Sequence, residues 1–122
     1  MLDMNYQETV AWLKSYKDNR DKIIYLENRM TGLKAISYDD HSGQHKSMNE
    51  LLDELNEVHS KMREIEDAID NIEDDKCRLV LGYKYLMFMK YEDIAREMHY
   101  SSAQIYKLHK KGVKMIVKYS KV

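Results

Sequence analysis

Apolar residues at Met48, Leu51, Leu55, Val58, Met62, Ile65, Ile69 and Ile72 follow one another at alternating spacings of 3 and 4 residues. This is an a/d seam carried through more than three heptads, and it predicts a helix that buries one stripe against another helix. Ser47 and Glu50 stand at the S-x-x-E spacing of a capping box, so the helix should start near Met48. A second stripe, Tyr6, Val10, Leu13, Tyr16, Ile23, Leu26, Met30 and Leu33, predicts an earlier helix from about Asn5 to Leu33, interrupted at Arg20. Between the two, residues 37–46 are polar and aperiodic with a glycine at Gly43, which reads as a connecting loop. The pairing expected is an antiparallel helical hairpin.

The heptads stop at Asp74-Asp75, and the charge changes sign there. Residues 1–75 hold 9 Lys+Arg and 18 Asp+Glu, whereas residues 76–122 hold 11 and 3. An acidic segment of balance -9 is therefore followed by a basic one of balance +8, although the whole chain is at -1. Two units are expected: an acidic hairpin over 1–75 for oligomerisation or partner binding, and a basic unit over 76–122 suited to a polyanion. In the second unit, residues 76–87 predict a helix with Leu79, Val80, Tyr83, Leu86 and Met87 on a broad buried face.

The stretch from Tyr91 to Val113 has the pattern of a helix-turn-helix. Ala95 is the small residue at the helix crossing, while Ile94, Met98, Tyr100, Ile105 and Leu108 would fill the angle. His99 falls where the turn needs a positive φ, and Ser101 with Gln104 forms a second capping box. The helix expected from Ser102 to about Lys114 turns Ile105 and Leu108 inward. Its outward positions would then read DNA in the major groove. Gln104 suits adenine and Ala103 a thymine methyl, with Ser102, Tyr106 and Lys107 as further base-reading candidates. Lys110, Lys111, Lys114 and Lys118 suit phosphates. Two competing readings temper this one: a solvated lysine face, and a Gln104 already occupied by capping.

Three runs, Leu81-Gly82-Tyr83-Lys84-Tyr85, Tyr91 through Ser101, and Gln104 through His109, resemble small Gram-positive phage regulators of the ArpU and RinA late-activator type. Tyr91, where that family often has Trp, and Gly112, where it tends to have Ala, depart from its pattern. The resemblance implies a C-terminal domain similar to region 4 of sigma factors, with Ser102, Ala103, Gln104, Tyr106 and Lys107 nearest the bases. It also implies a transcriptional regulator acting on double-stranded DNA. Two alternatives stay open: an oligomeric DNA-packaging adaptor resembling a small terminase subunit, and a module that contacts RNA polymerase.

Composition bounds the rest. The chain has 122 residues, no proline, four glycines and 34% charged residues, which favours an all-α fold. Its single cysteine, Cys77, cannot close an intramolecular disulfide, and no apolar run reaches the roughly 20 residues of a membrane span. A cytoplasmic homo-oligomer, a dimer in the favoured reading, is expected. The five histidines, His41, His45, His59, His99 and His109, lack a completing cluster of cysteines or carboxylates, and no nucleophile or phosphate-loop pattern occurs. Neither a cofactor, a metal site nor a catalytic activity is expected.

Overall fold

The computed structural model describes residues 4–35 and 46–120, with side chains over 4–33 and 46–117. All regular structure among them is helical: α1 (Tyr6–Ala35), α2 (Met48–Asp70), α3 (Asp75–Leu81), α4 (Tyr91–Met98) and α5 (Ser102–Ser120). Apart from Lys46, the predicted loop 37–46 lies outside the described residues.

Side chains fix the starts of α1 and α2. The expected box before α2 forms, with Ser47 Oγ accepting from the Glu50 N–H at 3.2 Å and Glu50 Oε1 accepting from the Ser47 N–H at 3.1 Å. An equivalent pair stands before α1. There Asn5 Oδ1 accepts from the Glu8 N–H at 2.8 Å and Glu8 Oε1 accepts from the Asn5 N–H at 3.0 Å. Each cap satisfies donors that the first helical turn leaves open, an effect of about 1 kcal/mol.

The seam of α2 packs on α1 with the contact order reversed. Ile23 and Leu26 cluster with Leu51 and Val58, while Leu13 clusters with Ile65 and Ile69. Polar ties follow the same order: Lys22 Nζ lies 3.3 Å from Glu54 Oε1, and the Tyr16 hydroxyl donates to Glu66 Oε2 at 2.5 Å. Burial and that carboxylate push the Tyr16 phenol up to about 12. Helix α2 ends at Asp70, so Ile72 fills its seam position from the connection to α3.

The acidic and basic stretches share a core. Leu13, Ile65, Ile69 and Ile72 join Cys77, Leu81, Tyr85, Val113 and Ile116 in one buried cluster. Helix α3 starts on Asp74, whose Oδ1 accepts from the Cys77 N–H at 3.0 Å. Beyond Leu81 the chain widens into a π-helical turn, Gly82–Leu86, closed by a bond from the Met87 N–H to the Gly82 carbonyl. This corrects the face predicted for residues 76–87. Cys77, Val80, Leu81 and Tyr85 are buried, whereas Leu79 and Met87 are 48% and 61% exposed. The stripe Cys77, Val80, Leu81 already occupies the i, i+3, i+4 positions, which leaves Leu79 on the far side.

Gly112 lies where α5 packs tightly on α3. A Cβ added there would stand 3.1 Å from Leu81 Cδ1 and 3.3 Å from Cys77 Cβ. The helix-propensity gain of alanine, about 1 kcal/mol, is opposed by this crowding, and a branched side chain adds further atoms where the first is already tight. Gly112→Val is therefore expected to destabilise the fold by about 1–3 kcal/mol, read as a lower denaturant midpoint. An unchanged midpoint would contradict the packing of α5 on α3.

Candidate nucleic-acid interface

Helices α4 and α5 meet at a turn whose backbone conformation is specific. His99 sits at φ 59° and ψ 43°, the left-handed conformation expected of it, and the Tyr100 N–H donates back to the Ala95 carbonyl at 2.9 Å. That six-to-one bond is a Schellman closure, made here without glycine. Ile94, Ala95 and Ile105 are buried between the two helices, and Met98, Tyr100 and Leu108 pack at the edge of the same cluster. Ser101 caps α5, with Ser101 Oγ accepting from the Gln104 N–H and Gln104 Oε1 accepting from the Ser101 N–H, both at 3.2 Å.

Burying Ile105, His109, Val113 and Ile116 sets the rotation of α5 and turns its other side outward. Ser102, Ala103, Gln104, Tyr106, Lys107, Lys110, Lys111 and Lys114 are all exposed. The helix continues past the predicted Lys114 to Ser120; Lys118 lies on it, with its side chain outside those described. Lys107, Lys110, Lys111 and Lys114 line one open groove of about 380 Å³ together with Met115.

The eight outward residues are not equally available. Gln104 spends its amide oxygen on the cap. Tyr106 stacks on Tyr91 with ring centroids 4.5 Å apart, while Lys84 Nζ lies 4.3 Å from the Tyr91 ring. This backing holds an exposed aromatic in place on α5. Lys111 Nζ pairs with Asp74 Oδ2 at 3.2 Å. The Asp74 carboxyl is lowered to about 2, first by the Cys77 N–H and then by Lys111.

Sequence reasoning missed what lies behind this face. His109 is buried, its Nε2 shares a 2.6 Å hydrogen bond with the Tyr85 hydroxyl, and Tyr91 meets the imidazole edge-on. Burial, then Lys84 and Lys14, lower its pKa to about 4, so the imidazole is neutral near pH 7. The signal was present in its spacing, four residues after Ile105 and four before Val113, on the buried stripe. Phe88 was also unforeseen. It adopts φ 61°, unusual for a bulky residue, with the Arg20 guanidinium 4.4 Å from its ring. Arg20, which interrupts the first stripe, thus ties α1 to the segment entering α4.

Other chemistry is sparse among the described residues. They contain no group of three or more His, Cys, Asp or Glu placed to hold a metal ion, and no helix long and apolar enough to cross a membrane. Cys77 is buried and its thiol is pushed up to about 11, chiefly by that burial, which makes it a poor nucleophile.

A family model described as "Protein of unknown function (DUF1492)" matches residues 22–117, a span that runs from α1 through most of α5. No curated protein and no solved structure matches the chain at a significant level.

Proposed function

For this chain, which belongs to the DUF1492 family of unknown function, we propose sequence-specific recognition of double-stranded DNA by a non-enzymatic transcriptional regulator. In this reading α4 and α5 are the helix-turn-helix and α5 is the helix that enters the major groove. The observation that carries it is the exposed cationic face of α5, held beyond a tight left-handed turn with every inward position filled. Ser102, Ala103 and Tyr106 face the bases, with Gln104 contributing through its uncommitted amide nitrogen, and Lys107 lies where bases and backbone meet. Lys110, Lys111, Lys114 and Lys118 face phosphates. The α1–α2 hairpin pairs with a second copy, so that two reading helices reach half-sites about one helical turn apart.

The test is a fluorescence-anisotropy titration of duplex DNA at 50 and 200 mM salt. Four neutralised phosphates, at roughly 0.9 per contact in the slope of log K against log salt, correspond to about a 150-fold loss over this range. Failure to bind duplex DNA at either salt concentration would overturn the proposal.

Asp74 supplies a second check, because it competes with phosphate for Lys111. Asp74→Asn keeps an oxygen for the helix cap and removes the charge. Tighter duplex binding and a steeper salt slope, by up to about 0.9, are expected. Weaker binding by a folded Asp74→Asn protein would argue against a phosphate role for Lys111.

A further inference from the structure

The groove on α5 has a neighbour that includes a lysine from elsewhere in the chain. Lys76 of α3 lines an open cleft of about 300 Å³ with Tyr100, Gln104, Lys107 and Leu108. Lys107 belongs to both clefts, so the cationic surface runs from Lys114, midway along α5, toward the start of that helix and onto α3. No carboxylate lines either cleft, and Asp74 stands beside the first of them, 3.2 Å from Lys111 Nζ.

We infer that this cleft seats one backbone phosphate of the bound duplex between Lys76 and Lys107. The inference rests on the DNA reading above and extends it to a residue outside the two helices of the motif. Three observations support it. The lysines come from elements thirty-one positions apart in sequence yet line one concavity, which a merely solvated lysine face along a single helix would not produce. The Lys76 ammonium lies 5.5 Å from the centroid of the Tyr100 ring, and Tyr100 immediately precedes the cap of α5. That tyrosine and Asp74 also favour the charged form of Lys76. Finally, the cleft adjoins Gln104, in the first turn of α5, so a phosphate seated there would flank the bases that this turn reads. Such a contact fixes the register of the helix on the duplex without itself carrying sequence information.

The test compares Lys76→Met with Lys76→Arg and with Lys61→Met, a control on exposed α2, in anisotropy titrations of duplex DNA from 50 to 200 mM salt. Lys76→Met should lower the salt slope, by up to about 0.9 because Lys107 shares the phosphate, and weaken binding by up to about 8-fold near 0.1 M salt. Lys76→Arg and Lys61→Met should keep the wild-type slope, and circular dichroism should show all three folded. A wild-type slope in Lys76→Met, alongside a reduced one in Lys107→Met, would overturn the inference and leave the DNA reading standing. Absence of salt-sensitive binding by the unaltered protein would overturn both.

Discussion

Replacing Lys107, Lys110 and Lys114 together by glutamine should weaken duplex binding by up to about 500-fold near 0.1 M salt and lower the salt slope by up to about 2.7. Each contact contributes roughly 0.9 to the slope, and the three effects multiply because each displaces its own counterions. The substitutions should be nearly silent in folding. All three side chains are exposed on α5, and glutamine sustains a helix about as well as lysine. Lys111 is left in place because its partner Asp74 also caps α3, which would mix an effect on the helix start with one on DNA. Tyr106→Ala should behave differently, changing which duplexes are preferred while leaving the slope intact. Gln104→Ala is a poorer probe of reading, since it also removes half of the capping box. A triple variant that binds as the unaltered protein does would assign the lysines to solvation alone.

The parts of this molecule legible in sequence are those encoded within a few residues. The seam from Met48 to Ile72, the box at Ser47 and Glu50, and the positive φ at His99 each depend on spacings inside one helix or one turn. The outward set on α5 follows once Ile105 and Leu108 are turned inward. Pairings across the chain were not legible. Asp74 and Lys111 are separated by thirty-seven positions, and nothing local in either marks the other as a partner. Phe88 takes a left-handed conformation that no residue pattern announces, beneath an Arg20 that in sequence only breaks a stripe. The common core had the same character. Ile65 and Ile69 read as seam residues for α1, yet they also cluster with Cys77, Leu81 and Val113. Periodicity shows that a face is buried; it does not name every surface that buries it.

His109 connects that core to pH. Its imidazole titrates near 6.5 in an unfolded chain and at about 4 in the folded one, so between these values the unfolded state holds a proton that the folded state lacks. Folding stability should therefore rise with pH across this window, and fall as the solution is acidified through it. The difference amounts to about 3 kcal/mol at 1.36 kcal/mol per unit, fully lost only below the folded value. Carboxylates add their own acid dependence, and a variant without the imidazole isolates the histidine. His109→Leu alone would leave the buried Tyr85 hydroxyl without its partner, at a cost of about 1–3 kcal/mol near neutral pH. Combining it with Tyr85→Phe removes both ends of the bond and should recover most of that loss. Urea midpoints followed from pH 7 to 4 should then decline more steeply for the unaltered protein than for the double variant. Because His109 lies on the inward side of α5, duplex binding by the unaltered protein should fail in the same interval as α5 loses its seat. Parallel decline of the two midpoints would show that the imidazole is not the group being titrated.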